Sequence, residues 1–190
     1  MITNSALYQK DARLAIDEAS RLYHAARRRA QLGKLYSALT GRSRRLFHLS
    51  AIQLACHVRD RHHAGTQAVP IDHIRGSEGR CEEFDVNFWP LQTRTKGRWL
   101  SIALAHYMGE SLPAVELIQV GELYFVRDGH HRISVAKALG QIHIDAQVTV
   151  WEVKQATSLE HPDLVHHPSY PAGYQKSSCL VETGGRLARL

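Results

Sequence analysis

Between residues 114 and 136 the spacing of apolar side chains shifts from every second residue to every third or fourth, and the shift falls on Asp128-Gly129. A chain satisfies both periods only by leaving a strand and starting a helix at that point. Residues 114–120 and 123–126 alternate as strands, and Gly121-Glu122 between them predicts a hairpin. Residues 131–139 predict a short helix closed by Gly140. A last strand is expected over 144–153, where Ala146, Val148 and Val150 recur at period two.

Upstream, residues 94–108 read as a helix stopped by Gly109, with Trp99, Ile102, Ala103, His106 and Tyr107 near one side. Residues 68–74 read as a strand beginning near Pro70, 76–80 as a glycine-flanked turn and 82–88 as a helical turn. A long helix is predicted over 5–39, with Ser5 as its cap, Asp11 in its early turns, Gly33 as a bend and Thr40-Gly41 as its stop. Its apolar face is expected to hold Leu7, Leu14, Leu22, Ala26, Leu32 and Leu35, packed on the rest of the molecule or a second subunit with the arginines outside. A second helix is expected over 49–58, and the polar stretch 59–66 reads as a loop.

This order predicts an α+β fold: a small mixed sheet with helices, preceded by an N-terminal helical segment. The chain divides into a basic helical segment 1–66, a central domain 67–154 and a mostly irregular tail 155–190.

The net charge of +6 is unevenly placed. Arg13, Arg21, Arg27, Arg28, Arg29, Lys34, Arg42, Arg44 and Arg45 crowd the first quarter, against few acids there (Asp11, Asp17, Glu18). Such asymmetry suggests an anionic partner, DNA or a protein with an acidic face, with Arg27, Arg28 and Arg29 as candidate DNA contacts; a solvated helix face is the alternative. No apolar run approaches the ~20 residues that span a bilayer. Met1-Ile2-Thr3-Asn4 lacks the charged start and apolar core of a secretory leader, so a cytoplasmic location is the expectation. Cys56, Cys81 and Cys179 form no C-x-x-C, which argues against a disulfide framework or a cysteine zinc site. The adjacent pairs His62-His63, His130-His131 and His166-His167 lack the i, i+4 spacing of a helical metal pair.

The chemistry concentrates in Asp128-Gly129-His130-His131-Arg132. Gly129 lets the backbone turn tightly and a ligand approach closely. The first amides of the following helix lack internal acceptors, and the helix dipole adds positive charge, so a phosphate is the expected occupant. Arg132 offers a planar fork for its oxygens. His130 and His131 add donors that respond to pH, and Asp128 can cap the helix or hold Mg²⁺.

Gly129-His130-His131-Arg132 resembles the G-x-x-R box of the ParB/sulfiredoxin superfamily, and Arg80-x-x-x-Phe84-Asp85 resembles the arginine-then-Phe-Asp box after the first strand of ParB N-terminal domains. The resemblance covers under half the chain and implies that fold and a bound nucleotide. Sulfiredoxin's loop cysteine is replaced by His130, so reductase chemistry is not expected. Partition ParB proteins carry Gly-Glu-Arg-Arg there, of which Gly129 and Arg132 match; neither their Glu-Asn-x-x-Arg motif nor a helix-turn-helix follows, so a full ParB clamp is not expected. The wording is most similar to the free serine kinase branch. The resemblance implies a nucleotide, ATP/ADP or CTP, with Mg²⁺ as an option. It also implies that Glu78 serves as base on a substrate hydroxyl, with Arg80 beside the phosphates, in a phosphotransferase or nucleotide hydrolase. A non-catalytic, DNA-associated accessory protein acting through its basic helices is the alternative.

Overall fold

The computed structural model describes residues 4–155, with side chains over 12–153. The expectations for Ser5, Leu7 and Asp11 as side chains, and for the tail beyond residue 155, lie outside the described residues. Helix α1 (Asn4–Thr40) is continuous. It ends as expected at Gly41, which takes φ 67° and donates its N–H to the Ser37 carbonyl at 3.0 Å. Gly33 does not divide it. A Cβ there would lie 2.7 Å from Arg44 Nε, so the glycine makes room for the returning chain.

The buried face of α1 is Ala19, Tyr23, Ala26 and Ala30, not the leucine stripe. These residues recur at helical spacing and pack against Trp99 and Ala103 of α3 (Lys96–Tyr107) and Val135 of α4 (His130–Ala138). Of the expected face, Ala26 is buried and Leu22 partly so, whereas Leu14, Leu32 and Leu35 stay 58%, 65% and 62% exposed. Alanines let two helix backbones approach closely, and the bulky rings of Tyr23 and Trp99 then fill the seam. Those rings meet edge-on at 5.3 Å.

The sheet holds β1 (Phe47–His48), β2 (Cys56–Pro70), β3 (Ile74–Ser77), β4 (Val115–Val120), β5 (Leu123–Asp128) and β6 (His143–Gln155). Its order is β1-β3-β5-β4-β6-β2. The pairs β1/β3, β3/β5 and β4/β6 are parallel; β4/β5 and β2/β6 are antiparallel. The expected α+β fold with a mixed sheet and a leading helix is therefore present.

Residues 59–66 are strand, not loop, and the second helix, α2 (Leu49–Ala55), stops before 56–58, which also join β2. The reason is position. β2 is an edge strand with β6 as its partner, so most of its side chains face water and its polarity carries no loop signal. The sheet thereby draws 56–66 away from the helical segment assigned to 1–66. Residues 82–88 form turns rather than a helical turn. The buried Asp85 organises them, its Oδ1 accepting the N–H groups of Asn87 (3.0 Å) and Trp89 (2.9 Å) while Oδ2 pairs with Arg44 Nη2 at 3.0 Å.

Alternation along β4, β5 and β6 builds two cores. Leu117, Val126, Ala146 and Val148 lie with Ile133 and Ala136 of α4, whereas Ile118, Phe125 and Trp151 lie with Leu49 and Ile52 of α2. Each fully buried Leu, Ile, Val or Phe among these contributes ~1.5–3 kcal/mol by removal from water. Gly76 sits where this packing is tightest: a Cβ would come within 2.1 Å of the Phe125 ring.

Candidate functional site

The parallel strands β3 and β5 end side by side, with Ser77 in register with Val126 and the Glu78 N–H on the Val126 carbonyl at 3.0 Å. The segment after β3 and the helix after β5 therefore leave the sheet next to one another. That is where ligands settle in sheets with parallel strands. The β4–β5 hairpin and the strand-turn-helix that follows it form as the sequence predicts.

Gly129 is the N-cap of α4, at φ 98°. A Cβ would stand 2.5 Å from Val115 Cγ1 and 3.2 Å from Val115 Cα, so glycine is required twice over, by dihedral and by space. No side chain caps the helix. Asp128 is thus not the cap; its Oδ2 pairs with Arg132 Nη2. The Ile133 N–H bonds to the Gly129 carbonyl at 3.0 Å, so the amides of His130, His131 and Arg132 precede the first intrahelical bond.

Both histidines are buried, at 4% and 5% exposure. Ser77 Oγ accepts the N–H groups of Gly79 (3.2 Å) and Arg80 (2.9 Å) and lies 2.7 Å from His130 Nε2. A hydroxyl has one proton and two lone pairs. With both lone pairs engaged, Ser77 donates to Nε2, and the proton of His130 resides on Nδ1. Burial, with help from the Arg80 and His131 charges, pushes the His130 pKa down to about 4. His131 is also lowered to about 4, by burial and then by Arg80 and Arg98, against the pull of Glu83. Its Nε2 is buried and finds no hydrogen-bond partner among the described residues. Phe84 packs against both rings, stacked on His130 at 6.1 Å and edge-on to His131 at 5.2 Å.

Charged groups surround this pair. Arg80 Nη1 and Arg94 Nη2 hold opposite oxygens of Glu83 at 3.3 and 3.2 Å. Glu78 is exposed, and its Oε2 lies 3.5 Å from Arg127 Nε. Arg132 departs from expectation. Its Nη1 donates to the Pro113 and Ala114 carbonyls while Nη2 meets Asp128, so the guanidinium clamps the chain before β4 onto α4. Phosphate contact through Arg132 would require these bonds to be given up.

The structure brings Arg80, Gly129, His130 and His131 together around Ser77 and Phe84. Sequence reasoning missed Ser77, Glu83, Arg98 and Arg127. Ser77 ends a short strand and reads as a turn residue; the arginines and Glu83 carry no motif. Only Phe84 stood in a recognised box, without a role. Arg27, Arg28 and Arg29 lie well away in sequence, on α1. Arg27 Nη1 donates to the Pro90 carbonyl at 3.1 Å, Arg29 sits 5.0 Å above the Trp89 ring, and Arg28 is exposed.

No protein-family model and no curated protein matches the chain. Among solved structures, sulfiredoxin from Arabidopsis thaliana matches 49% of this chain and 88% of its own, at 22% identity and a TM-score of 0.29. A superposition of that quality carries no argument about chemistry. Among the described residues, no helix is long and apolar enough to cross a membrane.

Proposed function

We propose that the protein binds a phosphate-bearing nucleotide at the first turn of α4, as a ParB-like nucleotide-binding protein. The observation that supports this most is the unpartnered Nε2 of the buried His131, one residue inside a helix whose cap is a left-handed glycine. A buried polar atom without a partner costs ~1–3 kcal/mol, a cost that a ligand oxygen removes. The helix amides and the surrounding arginines favour an anion there. ATP, ADP and CTP are the candidate nucleotides, with Mg²⁺ beside Asp128. Turnover, as phosphotransfer or nucleotide hydrolysis, rests on Glu78. Glu78 follows β3, whose end lies beside that of β5, and in this reading it takes a hydroxyl proton while Arg80 and the α4 amides hold phosphate.

Calorimetric titration with ATP, ADP, CTP and GTP, with and without Mg²⁺, tests the binding. His131→Phe keeps an aromatic ring beside Phe84 and removes the nitrogen. It should weaken the best nucleotide by about tenfold or more, as for a lost charge-assisted bond, while leaving stability equal or higher. Unchanged affinity would refute the site. Glu78→Gln should keep affinity and lose turnover; unchanged turnover removes Glu78 from the chemistry, and no turnover in the parent reduces the protein to a binder.

A further inference from the structure

The strand assignment of residues 56–66 changes what their side chains can do together. On a loop, His62-His63 is an adjacent pair with no shared direction. On a strand, residues two apart share a face, so Asp60 and His62 stand on one side of β2. Across the ladder, Asp60 is in direct register with Glu152 of β6. The ligand atoms of Asp60, His62 and Glu152 all lie within 4.8 Å of one another, with His62 Nδ1 3.8 Å from Asp60 Oδ2.

Three features of this placement point to a cation. Two carboxylates directly opposite in an antiparallel pair repel and weaken the sheet unless positive charge stands between them. The imidazole adds a nitrogen ligand to two oxygen ligands, a set that suits borderline transition ions rather than Mg²⁺ or Ca²⁺. The backbone behind the cluster is fixed from the other face. Arg61, between Asp60 and His62, lies 4.3 Å over the ring of Trp151, which is buried and precedes Glu152. A register shift between Val58 and Asp60 sets this alignment, the kind of bulge that re-aims a side chain. Ligand atoms around a tetrahedral Zn²⁺ at bond lengths of about 2.0–2.1 Å are roughly 3.3 Å apart. Exposed side chains close the remaining gap by rotamer changes alone.

We infer that Asp60, His62 and Glu152 form a divalent transition-metal site on the β2–β6 ribbon, with open positions left to water or an exogenous ligand. It is separate from the α4 turn and does not rest on the nucleotide reading. The site is open to solvent, so it fits a Zn²⁺-class ion that exchanges rather than one locked in.

Titrating the full chain with Zn²⁺ and Ni²⁺ tests it. The parent should bind one equivalent that Asp60→Asn, His62→Gln and Glu152→Gln each weaken by more than about tenfold, since even loss of an outer-shell partner costs that much. His63→Gln, on the opposite face, should retain it, which separates this site from other histidines in the chain. The same equivalent should raise the melting temperature of the parent and not of Asp60→Asn. Survival of the equivalent in His62→Gln, or equal competition by Mg²⁺ or Ca²⁺ at matched concentration, would overturn the assignment.

Discussion

Residues 130–132 at the head of α4 and residues 27–29 in the middle of α1 are both runs of basic side chains, and the fold treats them in opposite ways. At α4 the two imidazoles go inside, neutral, against Phe84, and the arginine turns back onto the Pro113 and Ala114 carbonyls. At α1 the alanines go inside and the arginines stay at the margin, reaching over the seam to Trp89 and Pro90. The difference teaches that charge density in sequence does not locate a site.

The largest expected contrast is with pH. Unfolded imidazoles titrate near ~6.5, whereas His130 and His131 in the folded chain are pushed down to about 4. Between those values the unfolded chain holds more protons, so stability falls as pH falls from ~6.5 and this contribution levels off below about 4. At ~1.4 kcal/mol per unit for each group, the pair accounts for a loss of up to roughly 7 kcal/mol. Urea unfolding at pH 7, 5.5 and 4 measures it. His131→Phe should flatten the slope appreciably; an equal slope in that variant would mean His131 is not held neutral.

Next come the glycines. Gly129→Ala puts a methyl-bearing residue at φ 98° and against Val115, whose Cγ1 would lie 2.5 Å away and whose Cα 3.2 Å away. A left-handed non-glycine residue costs ~1–2 kcal/mol and overpacking a further ~1–3, so a loss of about 3 kcal/mol or more is expected. Gly33→Ala in α1 has an ordinary helical φ and meets the far end of a long side chain, Arg44. Better helix propensity returns up to ~1 kcal/mol against the shift of that guanidinium, leaving a net change of about 1 kcal/mol or less. Paired denaturation curves compare them, and similar losses at both positions would erase the distinction drawn between the two regions.

Arg132→Ala follows. It deletes bonds to two carbonyls and to Asp128, so stability should fall by about 2 kcal/mol. Arg27→Ala deletes one bond to the Pro90 carbonyl and should cost about 1 kcal/mol. If Arg132→Ala is neutral for stability yet abolishes nucleotide binding, the clamp yields to the ligand and the arginine serves phosphate after all.

The strand-turn-helix around Gly129 was legible because it is written in local signals: a hairpin turn, a period change and a glycine. The packing of α1 was not, because a seam of Ala19, Ala26 and Ala30 is quieter in sequence than the exposed leucines beside it. β2 was hidden by its edge position, which removes the apolar alternation that marks a half-buried strand. At the site, the burial of His130 and His131 was illegible because it depends on Phe84 and Ser77, which arrive from β3 and its loop some fifty residues earlier. Long-range partners of that kind leave no periodic trace.

The smallest effect separates neighbours on α1. Arg29, itself exposed, lies over the ring of Trp89, a contact worth ~0.5–1 kcal/mol in a solvated setting, while Arg28 has an exposed side chain whose removal should change stability by less than ~0.5 kcal/mol. A double-mutant cycle of Arg29→Ala with Trp89→Phe isolates the ring contact from general loss of charge. Coupling near zero would return Arg29 to the free basic face. DNA titrations on the same single variants then sharpen the comparison with α4. A surface that binds phosphates through this helix loses affinity with Arg28→Ala and shows a steep salt dependence. If affinity is unaffected by Arg28→Ala and falls only with Arg29→Ala, the arginine acts through the Trp89 seam and not on nucleic acid. If neither variant matters, the charge of the first helix serves solvation and packing, and DNA binding through α1 is ruled out.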